Sequence, residues 1–418
     1  MKLSYKKTFL IGTAFLSITA FWQLYDSIIP LILKETFGVK ETARGVIMAL
    51  DNILALILLP LFGTLSDKTN TKIGKRMPYI IAGTFVSAVL MIFLPIADNS
   101  VNFYLFIIML GAVLISMGTY RSPAVALMPD ITPRPLRSKA NAIINLMGAL
   151  GAVFALAVIK IFAEDGVKPN YFPVFSLVSI LMVVSVVILF ATIRENKESA
   201  LAQKYEEEHP SVLDAEEANV NKGKKLPKAV KKSMAFLLAS VVFWFMAYNA
   251  VTTAFSSYAK VVWNLKEGGF ADCIMVATIA AVVSYIPVGF ISSKTGRKVM
   301  ILIGVAVMAV AFAIGTAATT YAGWMILVFV GVGFGWAAIN VNSYPMVVEM
   351  ALGGDIGKYT GLYYTFSMSA QILTPVLSGF FLEHVSYRIL FPYSAIFMAL
   401  AFVSMLFVKH GDNKPEND

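Results

Sequence analysis

Residues 63–76 read GTLSDKTNTKIGKR, a short polar and basic stretch set between apolar runs at about 46–62 and 78–96. Apolar runs of that length on either side of a basic turn read as two membrane helices joined at a membrane surface. The pattern returns in the second half of the chain, where GFISSKTGRK at 289–298 again separates two apolar runs. A turn of the same chemistry with the same flanks argues for two halves built on one ancestral unit. In such a turn glycine lets helices pack closely, Asp67 accepts hydrogen bonds from helix ends or pairs with Arg76, and the cations hold the turn at the cytosolic face. The role expected of it is conformational.

The composition agrees. With 418 residues, 58% hydrophobic and 14% charged, and a mean hydropathy of +0.74, the chain reads as an integral membrane protein. Scanning for runs of about 20 apolar residues gives twelve, at roughly 8–34, 43–63, 78–97, 101–128, 138–163, 170–193, 233–258, 268–292, 299–318, 323–350, 358–383 and 389–409. The first run continues too far to be a cleaved signal and is read as an uncleaved span. The expected fold is all-α, an integral membrane protein with twelve transmembrane helices in two pseudo-symmetric six-helix halves. The halves are 1–193 and 233–409, with a cytosolic linker at 194–232 and a cytosolic tail at 410–418.

Placing both ends in the cytosol leaves only Lys34, Lys40, Arg44, Lys160, Lys168, Lys260, Lys266 and Arg388 in outer loops. Apart from Arg121, which lies within the fourth run, every other Lys and Arg then falls inside, which fixes the orientation. The same asymmetry accounts for the net charge of +9, so no nucleic-acid partner is implied. Cys273 is the only cysteine, which rules out an internal disulfide and a cysteine-cluster metal site. His209, His384 and His410 fall in loops or tails. No nucleophile–base pair, nucleotide loop or metal-ligand cluster stands out, so no enzyme activity, cofactor or metal is expected.

The two turns carry a further signal. A Gly, a Ser or Asp, then Lys/Arg around a second Gly resembles the loop that the major facilitator superfamily carries between its second and third helices and again between its eighth and ninth. The resemblance extends over the whole chain. Three stretches are similar to plant sucrose transporters and to glycoside-pentoside-hexuronide cation symporters: SDKTNTKIGKRMPYIIAG at 66–83, TYRSPAVALMPDITPRPLRSKANAIINLMGALGAV at 119–153, and GKYTGLYYTFSMSAQIL at 357–373. The resemblance implies that Asp130, Arg137, Asn141 and Gln371 are transport-relevant positions, with Arg137 among the gating residues. Sodium-coupled melibiose-type permeases carry two acids one turn apart on helix 2. Here helix 2 has only Asp51, followed by Ala55 and Leu59, a departure that favours protons over sodium.

Ionisable residues inside spans are functional hypotheses by default. Asp26 lies before the outer end of the first span and Asp51 after the outer start of the second, so both sit about 12 Å below the outer surface and consecutive antiparallel helices bring them close. Two nearby carboxylates in a low-dielectric site do not both ionise easily, which makes the pair a proton-coupling site in principle. Thr19, Gln23 and Asp26 share one helical face, with Trp22 adjoining. Counting from the outer start of the fourth span puts Arg121 towards the cytosolic end, where it snorkels, pairs with Asp130 or meets a sugar. Asp130 and Glu349 stand near the inner ends of spans four and ten as symmetry mates. Each is placed to pair with the basic turn of its own half through Arg76 or Arg297, and a gating role is expected.

Sugars need hydrogen-bonding side chains and aromatic faces against their C–H surfaces. Candidate contacts are Trp22, Gln23, Asn141, Asn145, Asn249, Trp336, Asn340, Tyr364 and Gln371, a lining that suits a neutral polyol. The function expected is proton-coupled symport of a sugar or glycoside by alternating access, with the site near the midplane between the halves as the resemblance implies. The alternative is an exporter or antiporter of a drug or organic acid. Drug antiporters of the superfamily carry a Gly-Pro-x-x-Gly-Gly type of signature on helix 5, whereas residues 148–153 read GALGAV. Expected partners are the substrate, the proton and the lipid bilayer. The protein is expected to act as a monomer in a cell membrane, a bacterial inner membrane by its short loops.

Overall fold

The computed structural model describes residues 4–133, 136–163, 169–208, 227–266, 268–350 and 356–412. They form thirteen α-helices: α1 Tyr5–Glu35, α2 Glu41–Lys68, α3 Met77–Asn99, α4 Phe103–Ile131, α5 Arg137–Phe162, α6 Phe172–Thr192, α7 Glu195–Glu208, α8 Lys228–Val261, α9 Gly269–Thr295, α10 Arg297–Ala317, α11 Ile326–Met350, α12 Ile356–His384 and α13 Leu390–Leu406. Twelve of the described helices are long and apolar enough to cross a membrane, and α7 is the exception. The part of the linker at 209–226 and the tail from 413 onward lie outside the described residues.

The chain divides into two compact units, one of Met1–Gly38 and Asp51–Val212, the other of Val39–Leu50 and Leu213–Asp418. In the first unit α1 packs on α5 and α6, and α3 packs on α4 and α6. The second repeats these pairings, with α8 on α12 and α13, and α10 on α11 and α13. One pairing scheme used twice is what an internal repeat predicts. The close approach of α1 to α5 rests on small residues, since a Cβ at Gly151 would run into the Leu16 carbonyl oxygen.

The start of α2, through Leu50, belongs to the second unit. There Arg44, read from sequence as a loop residue, is a buried helical residue at 3% exposure. It pairs with Glu41 one turn earlier and donates from Nη1 to Ser257 Oγ at 3.1 Å. Glu41 also accepts from the Tyr387 hydroxyl. An ion pair buried this well persists because each of its members has further hydrogen bonds.

The basic turns are shorter than their polar composition suggested. Residues 63–68 continue α2, and only 69–76 leave the helix. Thr64 and Ser66 return their hydroxyls to the carbonyls of Pro60 and Gly63, each at 2.8 Å, so these polar side chains are satisfied without breaking the helix. In the second unit α9 runs to Thr295, leaving Gly296 alone as the break before α10.

Both turns carry a glycine at positive φ, Gly74 at 125°, three residues before α3 begins, and Gly296 at 94°, directly ahead of α10. Such backbone favours glycine, and each glycine is also packed on a carboxylate. A Cβ at Gly74 would collide with Glu195, and one at Gly296 would lie 2.9 Å from both Asp412 carboxylate oxygens. These acids cap the helices that follow. Glu195 accepts the N–H groups of Lys75, Arg76 and Met77 at 2.8, 2.9 and 2.8 Å. Asp412 accepts those of Arg297 and Lys298 at 2.6 and 3.2 Å. An anion there satisfies orphan donors and complements the helix dipole.

Glu195→Ala is therefore expected to destabilise the protein by about 2–3 kcal/mol, and Asp412→Ala by less, since it frees fewer donors. Thermal unfolding of the purified variants reads the order directly, and unchanged midpoints in both would contradict the capping role.

Candidate functional site: a charged cluster in the first unit

In α1, Trp22 and Asp26 stand one turn apart on the same face. The indole is fixed by its neighbours, with Phe21 edge-on at 4.9 Å and Tyr25 edge-on at 5.5 Å between ring centroids. From α4, Arg121 lays its guanidinium over the same indole, with Cζ 5.2 Å from the ring centroid. From α2, Asp51 accepts a hydrogen bond from Asn52 Nδ2 at 2.8 Å.

Arg121 interacts electrostatically with both Asp51 and Asp26, and the two carboxylates feel each other. Among the described residues Arg121 forms no direct ion pair, and Asp26 has no hydrogen-bond partner. Three helices thus bring two acids and one cation to a half-buried cluster at membrane depth, where isolated charge costs about 2.5–3.5 kcal/mol by insertion scales.

Depth counting along α1 and α2 anticipated the approach of Asp26 to Asp51. It did not bring Arg121 to the pair: Arg121 was expected towards the cytosolic end, to snorkel, pair with Asp130 or meet a sugar. Asp130 instead serves the basic turn, accepting from Arg76 Nε at 2.8 Å with Lys75 Nζ at 3.1 Å. Arg76, buried at 4%, also pairs with Asp67 and donates to the Gly63 carbonyl at 3.2 Å. In the second unit Arg297 pairs with Glu349. The side chain of Arg137 lies outside the described residues.

The remaining candidates fall in three places. Gln23 donates to Ser27 Oγ at 3.1 Å on α1 itself. Asn141 and Asn145 are exposed on α5 and are not hydrogen-bonded to the charged cluster.

In the second unit Trp336 stacks face to face on Tyr248, centroids 3.6 Å apart and planes within 5°, with Phe245 edge-on to the same indole at 5.5 Å. Asn340 returns its amide to the Trp336 carbonyl at 3.0 Å, and Gln371 to the Ser367 carbonyl at 3.3 Å. Tyr364 is 53% exposed beside Tyr344 and Tyr363. Asn249 Nδ2 is buried without a partner among the described residues, an uncommon state for an amide donor. Tyr248 adjoins the candidate Asn249 on α8, and nothing in the sequence announced its stacking on Trp336.

No group of three or more His, Cys, Asp or Glu placed to hold a metal occurs among the described residues.

Comparison with known proteins brings the geometry into a family. The model of the Major Facilitator Superfamily matches residues 11–283 and 263–418. The chain is 24% identical over 155 residues to the sucrose transport protein SUC3 of Arabidopsis thaliana, a match covering 32% of this chain and 26% of that protein, about a quarter of its length. It is 22% identical over 423 residues to the uncharacterized MFS-type transporter MJ1317 of Methanocaldococcus jannaschii, covering 96% of this chain and 95% of that one. Among solved structures, the nucleoside transporter NupG superposes with a TM-score of 0.70 at 14% identity, covering 96% of this chain and all (100%) of that one.

Proposed function

The chain belongs to the Major Facilitator Superfamily, and on that premise we propose that this multi-pass membrane transporter moves a sugar or glycoside together with one proton. The observation that carries the reading is the cluster of Asp26, Asp51 and Arg121 around Trp22. With both acids ionised the cluster holds a formal charge of about −1, and one proton neutralises it. Arg121 balances one carboxylate, and Asp26, without a hydrogen-bond partner among the described residues, takes the proton. A neutral cluster is the state in which the loaded carrier reorients, which ties sugar movement to proton movement.

The sugar assignment draws on the sequence similarity to a sucrose transport protein and on the aromatic and amide groups of the second unit, among which Trp336, Asn249, Asn340, Tyr364 and Gln371 are the substrate contacts we assign. Gln23, Asn141 and Asn145 are assigned to the substrate from the first unit. Arg76 with Asp67 and Asp130, Arg297 with Glu349, and Arg137 are assigned to gating. In this reading residues 1–193 and 233–409 are the moving halves, both ends face the cytosol, and a monomer works in a bacterial inner membrane.

The test is uptake by the purified protein in liposomes under an inward proton gradient, against mono- and disaccharides with organic cations and organic acids alongside. Accumulation of a sugar or glycoside is the expected result. Accumulation of an organic cation or acid with no sugar moved would replace the substrate class, and accumulation only when the proton gradient is reversed to outward would support the exporter or antiporter reading.

A further inference from the structure

Aromatic residues in sugar sites ordinarily offer a ring face to the C–H surface of the ligand. One face of Trp22 is taken by a cation: Arg121 Cζ stands over it at 5.2 Å, and the ring edges of Phe21 and Tyr25 hold the indole in place. Arg121 has no direct ion pair among the described residues, and its guanidinium lies over the indole.

We propose that Trp22 is a positioning residue for proton coupling and not a sugar platform: its indole holds the Arg121 guanidinium within electrostatic reach of both Asp26 and Asp51 and bound to neither. A cation held this way moves its balance from one carboxylate to the other as a proton arrives, with no ion pair to break first. Direct pairing to either acid would fix the charge and remove the exchange. The inference rests on the proton-symport reading. The titratable groups that meet at the cluster are Tyr25 and Asp26 from α1, Asp51 from α2 and Tyr120 with Arg121 from α4. Of the helices packed on these, α6 has no ionisable residue, α3 and α5 carry theirs only near their ends, and α7, packed on α4, holds Glu195 at the basic turn and Glu198 on Lys7 at the start of α1.

The experiment compares Trp22→Phe, which keeps a ring, with Trp22→Leu, which removes it, in the full chain in liposomes. Sugar exchange without a gradient gives KM, and proton-driven accumulation gives coupling. Trp22→Leu is expected to keep its exchange KM within about threefold and to lose proton-driven accumulation by about tenfold, the scale of a desolvated cation–π contact. Trp22→Phe stays close to wild type in both. A Trp22→Leu protein with KM raised about tenfold or more and coupling intact would overturn the proposal, because that is how a sugar platform fails. Uncoupling by Trp22→Phe to the same extent would also overturn it, because the ring face would then not be the operative group.

A second readout needs no substrate and separates this proposal from the symport reading. The pH titration of the carboxyl infrared band of the purified protein is expected to change in Trp22→Leu in the same direction as in Arg121→Gln. Unchanged titration in Trp22→Leu would overturn the proposal even if the transported solute proves not to be a sugar. Should Trp22→Leu not be recovered monodisperse, Trp22→Met, flexible and apolar without a ring, takes its place.

Discussion

Asp26→Asn is expected to abolish proton-driven accumulation while sparing exchange of substrate for substrate. The amide has the shape of the protonated acid and cannot ionise, so the cluster stays neutral whatever the pH, with Arg121 balanced by Asp51. A carrier locked in that state reorients with substrate and returns with substrate, but no longer requires a proton. One proton per sugar supports about tenfold accumulation for a one-unit pH difference, and in Asp26→Asn the ratio falls to about one. Wild-type exchange is expected to slow as pH rises and the proton is lost from Asp26, whereas exchange by Asp26→Asn stays flat.

Asp51→Asn is also expected to lose proton-driven accumulation. It leaves Asp26 as the only carboxylate near Arg121, so Asp26 keeps its charge as the counter-ion, the cluster is neutral without a proton, and exchange persists. Exchange by Asp51→Asn that falls together with accumulation would contradict charge balance as the basis of coupling. Parallel measurement of exchange and accumulation on the same vesicle preparation decides the matter.

Arg76→Ala is expected to have the second large effect. The side chain is buried and holds Asp130, Asp67 and the Gly63 carbonyl together. Removing one partner of a buried charge network costs about 3–5 kcal/mol, much of it from the charge left behind. Transport is expected to fall by about a hundredfold or more if that energy bears on one conformational state. Arg76→Lys restores a charge but not the planar fork that reaches several acceptors at once, and recovers only part of the rate. Substrate binding to detergent-solubilised protein is expected to stay near wild type, since the turn contacts none of the proposed ligand residues. A loss of binding equal to the loss of transport would assign Arg76 to the substrate site instead of to the conformational change.

The sequence carried most of the architecture, because a bilayer demands long apolar runs and their lengths are countable in one dimension. The repeated basic turn told of two halves, and depth counting brought Asp26 to Asp51 because consecutive helices run antiparallel. Arg121 escaped the same counting. Its neighbours come from α1 and α2, and the rotation of α4 that points it at Trp22 is decided by packing. Helix ends were misjudged where Thr64 and Ser66 looked like loop residues but bond back to their own helix. Glu195 and Asp412 were read as linker and tail, since a carboxylate that caps another helix through backbone N–H groups leaves no pattern in composition. Their common place, shortly after the last span of each half, was the available signal.

The most direct test of one-proton coupling is the voltage at which net substrate flux reverses in proteoliposomes, with the substrate gradient fixed and the pH difference varied. One proton per substrate predicts a reversal voltage that moves by about 60 mV for each pH unit, the voltage equivalent of a tenfold gradient for one charge. A reversal voltage that ignores the pH difference would contradict proton coupling at Asp26, whatever the substrate proves to be.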